Sequence, residues 1–457
     1  MPAGTVAVKL TLVNHACCKL IAGKAGLLFD PWIDGPAFND GWDLLVPTPL
    51  DPDAIMAGIT HIWLSHEHPD HFSPAFLARI APRHRDRVAV LFQKTRDGRV
   101  AKFCRDLGFR VIELEDGAAL GLGGGVTATC GRHDFYDSWL HVGDGKDSLL
   151  NLNDCAIRAP ADLAKLAHRF GPPTAILSQF SYAAWKGGRA NRVFREAAAA
   201  QKRETLTAQA RVLKPRFALP FASMIYFSNV ENSYLNDGVN TPRVAAETLA
   251  AAGTTPIVLY PGDSWEIGAV HNSGEALARY DRRYAAIAQL PLRGAGPSAS
   301  LDQLGAAFAA YRARVFARNS RLLVALLSKL PLLGAFQPLT IRLYDIGAAI
   351  SLSLRGGIAP LPDGAAEPDV TMHSSSLLFI FKNDFGYDTL TVNGRFEATS
   401  AGFAKMTRAL AIGSLNAMGL SISPRLVFDL RVVAVLARRL HQVLARLKRG
   451  DAAQESA

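Results

Sequence analysis

Residues 66–71 constrain this chain more than any other segment, because their sequence HEHPDH gathers three histidines and an aspartate directly after a short apolar run. Imidazole nitrogens and carboxylate oxygens are ligands for zinc, iron and manganese. Two histidines that lie two residues apart on an extended segment point the same way, whereas residues beyond a proline bend can reach elsewhere. The sequence therefore predicts a dinuclear site, with His66 and His68 at one ion and Asp70 and His71 at the other.

A solvated histidine-rich loop or a pH-sensing patch is the alternative interpretation of this segment. It is disfavoured because clustered, unpaired histidines repel one another once they are protonated. The residue order also matches an H-x-H-x-D-H signature, and in this the chain resembles the metallo-β-lactamase superfamily. The resemblance implies an α/β fold, an αββα sandwich of two sheets between helices, with metal ions held at the strand ends.

The length of 457 residues exceeds one compact core of ordinary size, so two or three domains are expected. The sequence has no apolar stretch of about 18 residues, and its N-terminus lacks a basic region followed by an apolar core. We therefore predict a soluble, cytoplasmic protein. The five cysteines are scattered and odd in number, which is not typical of a disulfide framework.

The formal net charge of +10 is concentrated near the C-terminus rather than spread over the chain. Its main contributors there are Arg425, Arg431, Arg438, Arg439, Arg446, Lys448 and Arg449. This pattern predicts a basic amphipathic helix and tail over 421–457, packed with its arginines facing water; contact with an anionic membrane surface is the less favoured alternative. No basic stretch is interleaved with aromatic residues, so no nucleic-acid binding is expected.

The composition and the periodicity of the sequence change along the chain, and these changes predict its division into domains. Alternating strand and helix patterns predict a catalytic domain over 1–274, and an Ala- and Arg-rich stretch punctuated by Pro and Gly predicts a helical linker over 275–337. A smaller α+β domain is predicted over 338–420. Part of it resembles the sterol-carrier-protein-like fold, which implies a small-molecule substrate with an apolar body; a lid or a dimerisation module is the alternative.

Two further residues follow apolar strand patterns in the catalytic domain, as metal ligands at strand ends would. His133 comes after the strand pattern that begins at Val126, and Asp154 comes after another that begins at Leu149. At the corresponding positions the superfamily carries a histidine for the first ion and an aspartate that bridges both ions. His141 lies within a strand pattern, so we predict a structural side chain there.

The resemblance also bears on two residues nearer the N-terminus. Asp30, in Asp30-Pro31-Trp32, resembles the aspartate of a family turn, which orients ligands without binding metal. His15 occupies a position where members of the fold carry a histidine at the rim of the site. For His15, a role behind the metal ligands and a purely structural role both remain open.

One departure from the superfamily concerns its usual final histidine ligand. The strand pattern over residues 216–223 contains no histidine, which leaves the second ion with open positions or with another ligand. Glu231 and Asp263 are the candidate carboxylates, although Pro261-Gly262-Asp263 is also typical of a turn. Open coordination positions are what a substrate, hydroxide or dioxygen requires.

Segments around 220–232 and 261–263 resemble the CMP-N-acetylneuraminate hydroxylase-like branch of the superfamily, and the resemblance covers roughly residues 5–270. It implies a diiron oxygenase that hydroxylates a C–H bond. Because the sequence has no C-x-x-C and no C-x-H pair, it lacks the Rieske centre of that branch, and an external electron donor is expected. The alternatives are a dinuclear zinc or manganese hydrolase of phosphodiesters, lactones or amides, and a binding protein with a vestigial site.

Overall fold

The structure is a computed structural model that describes residues 8–134, 136–329, 335–362 and 367–423. Its contacts divide the chain into two compact units: unit 1 comprises Met1–Pro297 with Thr389–Thr399, and unit 2 comprises Ser298–Asp388 with Ser400–Ala457. The predicted basic helix and tail lie outside the described residues from residue 424 onward. Within the described ranges, no helix combines the length and the apolar character needed to cross a membrane.

Unit 1 is built from sixteen strands and eight α-helices between residues 8 and 297, counted over its described part. The strands are β1 (Lys9–Asn14), β2 (Cys17–Ala22), β3 (Ala25–Phe29), β4 (Trp42–Leu44), β5 (His61–Leu64), β6 (Ala89–Gln93), β7 (Arg110–Leu114), β8 (Ala119–Gly123), β9 (Val126–His133), β10 (Asp137–Gly143), β11 (Ser148–Asn153), β12 (Ala175–Gln179), β13 (Phe217–Phe221), β14 (Ile225–Phe227), β15 (Thr255–Pro256) and β16 (Ser264–Glu266). The helices are α1 (Pro52–Met56), α2 (Pro74–Arg79), α3 (Pro82–Arg85), α4 (Arg99–Asp106), α5 (Pro160–Phe170), α6 (Arg192–Leu213), α7 (Pro242–Ala251) and α8 (Gly274–Ala285), with 3₁₀ turns at Ser233–Gly238 and Ile287–Gln289.

Most of these strands form two mixed seven-stranded sheets. The first has the order β16-β1-β2-β3-β5-β6-β7, and the second has the order β15-β13-β12-β11-β10-β9-β8. In each sheet one half is antiparallel and the other half is parallel: β3, β5, β6 and β7 run together, as do β11, β12, β13 and β15. β4 and β14 form a separate small antiparallel sheet.

Three apolar clusters hold these sheets between helices. Strand β5 shows how the sequence does this, since successive side chains of a strand point to opposite faces. Trp63 belongs to the cluster between the two sheets, whereas Ile62 and Leu64 belong to the cluster beneath α1, α2 and α4. A third cluster joins the other face of the second sheet to α5, α6 and α7. The predicted αββα sandwich is therefore confirmed for unit 1.

The strand directions bring the ends of several strands to one edge of this sandwich. β1, β3 and β5 run the same way in the first sheet, and β9, β11 and β12 run the same way in the second. His15 follows β1, Asp30 follows β3, His66 lies two residues past β5, and Asp154 follows β11. Carboxyl ends of parallel strands are where open α/β sheets bind ligands.

Unit 2 combines helices with a smaller sheet. Its elements are α9 (Leu301–Arg318), α10 (Arg321–Leu327), β17 (Leu339–Leu343), β18 (Ala348–Ser353), β19 (Gly357–Pro360), β20 (Val370–Met372), α11 (Ser374–Lys382), the start of α12 (Gly386–Asn393), and α13 (Ser400–Ala417). The strands lie in the order β19-β18-β17-β20. The resemblance of this region to sterol-carrier proteins stays a prediction.

The contacts divide the predicted linker over 275–337 differently from the sequence pattern. Residues up to Pro297, including α8, belong to unit 1, whereas α9 belongs to unit 2. The reason is packing: Phe308 and Tyr311 of α9 contact Phe381 of α11, with ring centroids 5.0 and 5.7 Å apart. Most of this helical stretch therefore forms part of a core rather than a connector.

Candidate metal centre

Five histidine and aspartate side chains meet at the edge where the strand ends converge, and we call them the His–Asp cluster: His15, His66, Asp70, His71 and Asp154. Their ligand atoms form two overlapping groups, His15 with Asp70 and His71, and His66 with His71 and Asp154. Within each group all ligand atoms lie within 4.8 Å of one another. The sequence predicted four of these residues as metal ligands and left the role of His15 open.

The spacing inside the cluster is that of ligands around a shared ion. Nε2 of His15 lies 3.2 Å from Oδ2 of Asp70, and Nε2 of His71 lies 3.4 Å from the same oxygen. Nε2 of His71 also lies 3.5 Å from Oδ1 of Asp154. Two atoms bound about 2.1 Å from one ion in tetrahedral geometry are about 3.4 Å apart, so these side chains fit a zinc-sized or iron-sized cation.

Several polar atoms of the cluster are buried and have no hydrogen-bond partner among the described residues. They are Nδ1 of His15, Oδ1 of Asp70, Nε2 of His71 and Oδ1 of Asp154. Buried polar atoms without partners are rare in folded proteins, because each costs about 1–3 kcal/mol of desolvation. Their concentration at one place is consistent with a metal-binding site.

Asp30 fixes the orientation of His71. Its Oδ2 lies 2.9 Å from Nδ1 of His71, and its two carboxylate oxygens also accept hydrogen bonds from the backbone N–H and the hydroxyl of Ser65 at 2.7 and 2.8 Å. With Nδ1 engaged in this way, Nε2 of His71 faces Asp70 and Asp154. A carboxylate behind a histidine in this manner sets its tautomer and increases its basicity as a ligand.

His66 and His68 are adjacent, as their spacing predicts. Nε2 of His66 lies 2.9 Å from Nδ1 of His68, and Nδ1 of His66 lies 2.9 Å from the hydroxyl of Ser65. The imidazole of His66 also lies against that of His71, with ring centroids 4.1 Å apart. His68 therefore contacts the cluster through His66, but its imidazole is not among the grouped ligand atoms.

Burial and neighbouring charges shift the pKa values of these groups in opposite directions. Burial, aided by His71, lowers the pKa of His66 to about 4, and burial with His66 lowers that of His68. Burial alone would lower the pKa of His71, but Asp70, Asp154 and Asp30 together raise it well above its usual range. His66 and His68 are thus neutral imidazoles near pH 7, the form that binds a metal ion.

His133 ends β9 as predicted, but its imidazole is not among the clustered ligand atoms. Its ring is 24% exposed, and Nε2 lies 3.6 Å from the carboxylate of Asp134. Asp137, which pairs with His133 across the β9–β10 hairpin, interacts electrostatically with both His133 and His68. The metal-binding role of His133 stays a prediction.

The two carboxylates proposed for the missing ligand lie elsewhere. The carboxylate of Glu231 is buried in an ion pair with Arg395, whose guanidinium nitrogens lie 2.6 and 2.7 Å from Oε2. Asp263 accepts a hydrogen bond from the backbone N–H of Tyr260 at 2.9 Å, as its turn sequence predicts. Neither residue belongs to the His–Asp cluster, because each carboxylate is engaged by its own surroundings.

His15 lies close to where the final histidine would be expected. The β13 strand Phe217–Phe221 carries no histidine, and the residue after it, Ala222, donates its backbone N–H to the carbonyl of His15 at 3.4 Å. His15 has a φ of +41°, a conformation that few L-residues adopt, and is fully buried. The turn between β1 and β2 thus supplies a second imidazole to the half of the cluster that contains Asp70 and His71.

Sequence reasoning missed several residues that surround the cluster. Ser65 contacts Asp30, His66 and His71, and its place directly before the HEHPDH segment is the only signal it gave. Asp137, at the start of β10, has a pKa that burial and Asp154 raise. Lys202, on α6, interacts electrostatically with Asp154. Nothing in the sequence near Lys202 connects it with residues 66–71.

Unit 1 has the metallo-β-lactamase fold, and the buried histidine and aspartate groups at its strand ends are consistent with a dinuclear metal site. The chain shares partial homology with CMP-N-acetylneuraminic acid hydroxylases. It is 38% identical over 79 residues to the Danio rerio cytidine monophosphate-N-acetylneuraminic acid hydroxylase, which is 17% of this chain and 13% of the relative. It is 40% identical over 79 residues to the human protein described as inactive, 16% of whose length is matched. No protein-family model matches the chain.

Solved structures with similar folds include hydroxylases and hydrolases. The diiron β-hydroxylase CmlA from Streptomyces venezuelae aligns over 58% of this chain and 55% of its own, with 17% identity and a TM-score of 0.38. An isothiocyanate hydrolase from Delia radicum gut bacteria aligns over 57% of this chain and all of its own, with 16% identity and a TM-score of 0.41. These neighbours include both reaction classes.

Proposed function

We propose that the His–Asp cluster binds two metal ions and that the protein is a dinuclear non-haem metalloenzyme. The observation that carries this proposal is the buried Nε2 of His71, which lies between the carboxylates of Asp70 and Asp154 and has no hydrogen-bond partner in the part of the chain that the structure describes. In the assignment we favour, His66 and His68 hold one ion, Asp70 and His71 hold the other, and Asp154 lies between them. His133 remains the predicted third histidine of the first ion.

We further propose that His15 completes the second site in place of the absent final histidine. Its Nε2 lies 3.2 Å from Oδ2 of Asp70, at the spacing of two ligands on one ion. His15→Gln should then reduce the metal content from two ions per chain to about one, measured by elemental analysis. His84→Gln, at a partly exposed histidine beside Asp53, is the matched control and should retain both ions. Two ions retained in His15→Gln would limit His15 to a structural role.

The activity we favour is hydroxylation of a C–H bond. Local identity with the hydroxylases supports this proposal, and the mixed nitrogen and carboxylate donor set suits iron in both its ferrous and ferric states. Bound iron would supply the means to activate dioxygen, while the residues of the chain hold the substrate beside it. Since the sequence has no Rieske motif, the electrons would come from a separate donor protein.

The alternative is a dinuclear zinc or manganese hydrolase. The observation that favours it is the donor set itself, because imidazole and carboxylate ligands suit zinc and manganese as well as iron. A bound pair of such ions would acidify a water molecule for attack on a phosphodiester, lactone or amide. The absent histidine on β13 counts against this alternative only if His15 does not complete the second site.

Metal analysis with an optical spectrum distinguishes the two activities. Protein purified from cells supplemented with iron should contain about two irons per chain, show charge-transfer absorption, and consume dioxygen when a reductant is added. Asp154→Ala should lose metal and the dioxygen uptake together. A colourless protein that binds two zinc ions under the same conditions, and that consumes no dioxygen after iron reconstitution, would instead support the hydrolase.

The substrate is proposed to be a small molecule with an apolar body. This expectation depends on the resemblance of the α+β region to sterol-carrier proteins.

A further inference from the structure

Lys202 and Lys186 interact electrostatically with each other, and Lys202 also interacts with Asp154 of the His–Asp cluster. Lys202 lies on α6, and its ammonium donates a hydrogen bond to Oε1 of Gln179, the last residue of β12. Among the described residues neither Lys202 nor Lys186, in the loop before α6, forms an ion pair. Both side chains are half-buried. Desolvation lowers both pKa values, and Lys186 lowers that of Lys202 further.

The strand register places Lys202 beside the metal centre. β11 and β12 are parallel, with Asn153 opposite Ser178, so Asp154 and Gln179 each follow one residue of this pair on neighbouring segments. Neighbouring strands lie about 4.8 Å apart. Because Lys202 contacts Gln179, its ammonium lies next to Asp154, with which it interacts electrostatically.

A second buried cation on the same face of α6, Arg195, forms an ion pair with a carboxylate. Arg195 precedes Lys202 by two helical turns, and its guanidinium is held by the carboxylate of Asp237 at 2.6 and 2.7 Å and by two backbone carbonyls. Within the described ranges Lys202 donates a hydrogen bond only to a neutral amide, while Asp154 and Asp137 interact with it electrostatically. Two like charges that interact in a poorly solvated environment, as these lysines do, are unfavourable unless an anion lies between them.

We infer that Lys186 and Lys202 bind an oxyanion group, a carboxylate or a phosphate, of the substrate that reacts at the metal centre. The inference rests on the proposed function for the position of the reacting group. It also agrees with the charge of the loaded site, because two divalent ions would outweigh the carboxylates Asp30, Asp70 and Asp154. The lysines would then anchor one end of the substrate beside the metal ions.

The test is calorimetric titration of the metal-loaded protein with inorganic phosphate and, separately, with acetate. Lys202→Gln and Lys186→Gln should each raise the dissociation constant of at least one of these anions tenfold or more, and Lys202→Arg should restore it. The anion affected identifies which oxyanion the pair takes. Lys165→Gln, at an exposed lysine on α5 that pairs with Asp162, is the matched control and should leave both constants unchanged.

Metal content is measured on the same samples, which separates the two proposals. Normal metal content with unchanged affinity for both anions in Lys186→Gln and Lys202→Gln would overturn the inference and leave the proposed function standing. Loss of metal in Lys202→Gln, with anion affinity per loaded site unchanged, would also overturn it, because the lysine would then only stabilise Asp154. A wild-type protein that binds no metal would instead overturn the proposed function.

Discussion

Asp30 shows how one residue can fix the positions of several others at this site. Its carboxylate binds Ser65 twice and His71 once, so one buried group fixes both the residue before the HEHPDH segment and the last histidine within it. The positive φ of Asp30, +39°, turns the chain directly after β3 so that the side chain points back toward β5. Because the His71 imidazole is held in this way, it would lose little conformational freedom when a metal ion binds.

Asp30→Asn should weaken metal binding without abolishing it. The substitution removes the negative charge behind His71 and favours the wrong tautomer, and loss of such a partner typically costs 10- to 100-fold in affinity. The measurement is competition with a chromophoric chelator. Asp34→Asn, at an exposed carboxylate that pairs with Arg79, is the control. Equal affinity in the wild type and Asp30→Asn would contradict the orienting role.

The sequence predicted those site residues that lie together in one short motif of the chain. His66, Asp70 and His71 lie within one short segment, so their proximity follows from the segment itself. The contact between His15 and Asp70 joins residues separated by 55 positions, and it depends on the turn between β1 and β2. Local sequence patterns do not show which distant residues meet in the fold. The contact of His15 with Asp70 could therefore not be predicted from the sequence.

At the scale of elements, one segment lies in a different unit from the one its sequence position predicted. Residues 389–399 fall within the predicted α+β domain, yet the structure assigns them to unit 1. Arg395 is the reason, since its buried guanidinium pairs with Glu231 and also donates to the backbone carbonyls of Asn39 and Ala295. Glu231 is thus a structural anchor for this segment.

Replacing Arg395 should destabilise the fold strongly. Arg395→Met leaves the carboxylate of Glu231 buried without its cation, and breaking a buried pair from one side typically costs about 3–5 kcal/mol. Urea unfolding should show this loss in the free energy of unfolding. Arg243→Met, which breaks an exposed pair with Asp281, should cost far less, because exposed ion pairs contribute little to stability. Similar losses in both variants would contradict the anchoring role.

His141, on β10, was predicted to be structural, and its ring stacks on Phe170 with centroids 4.1 Å apart. Burial, aided by Arg169, lowers its pKa from 6.5 to about 4. The unfolded chain therefore binds a proton more readily than the folded chain, so this contribution to stability is present above pH 6.5 and is lost as the pH falls toward 4.

His141→Phe should remove that pH dependence. Urea unfolding between neutral and acidic pH should lose about 2 kcal/mol less in this variant than in the wild type, a figure reduced for partial exposure of the ring. His168→Phe, at an exposed position on α5, is the control and should follow the wild type. An unchanged pH slope in His141→Phe would mean that His141 titrates normally in the folded protein.

At the scale of the whole molecule, the proposed centre exists because unit 1 brings two sheets together. The first sheet contributes His15, Asp30 and the HEHPDH segment, and the second contributes Asp154. The sandwich and the ligand-bearing strand ends followed from the sequence, since their patterns are local and the superfamily signature is specific. The place of residues 389–399 and the two lysines did not, because they depend on contacts between distant parts of the chain.

Anomalous diffraction from crystals of the metal-loaded protein tests the dinuclear centre most directly. Data collected at the absorption edge of the bound metal should show two peaks about 3.5–4 Å apart, within bonding distance of His66, Asp70, His71 and Asp154. A map of the fully loaded protein with no peak beside these four side chains, or with metal bound only elsewhere, would contradict the dinuclear centre and both activities proposed for it.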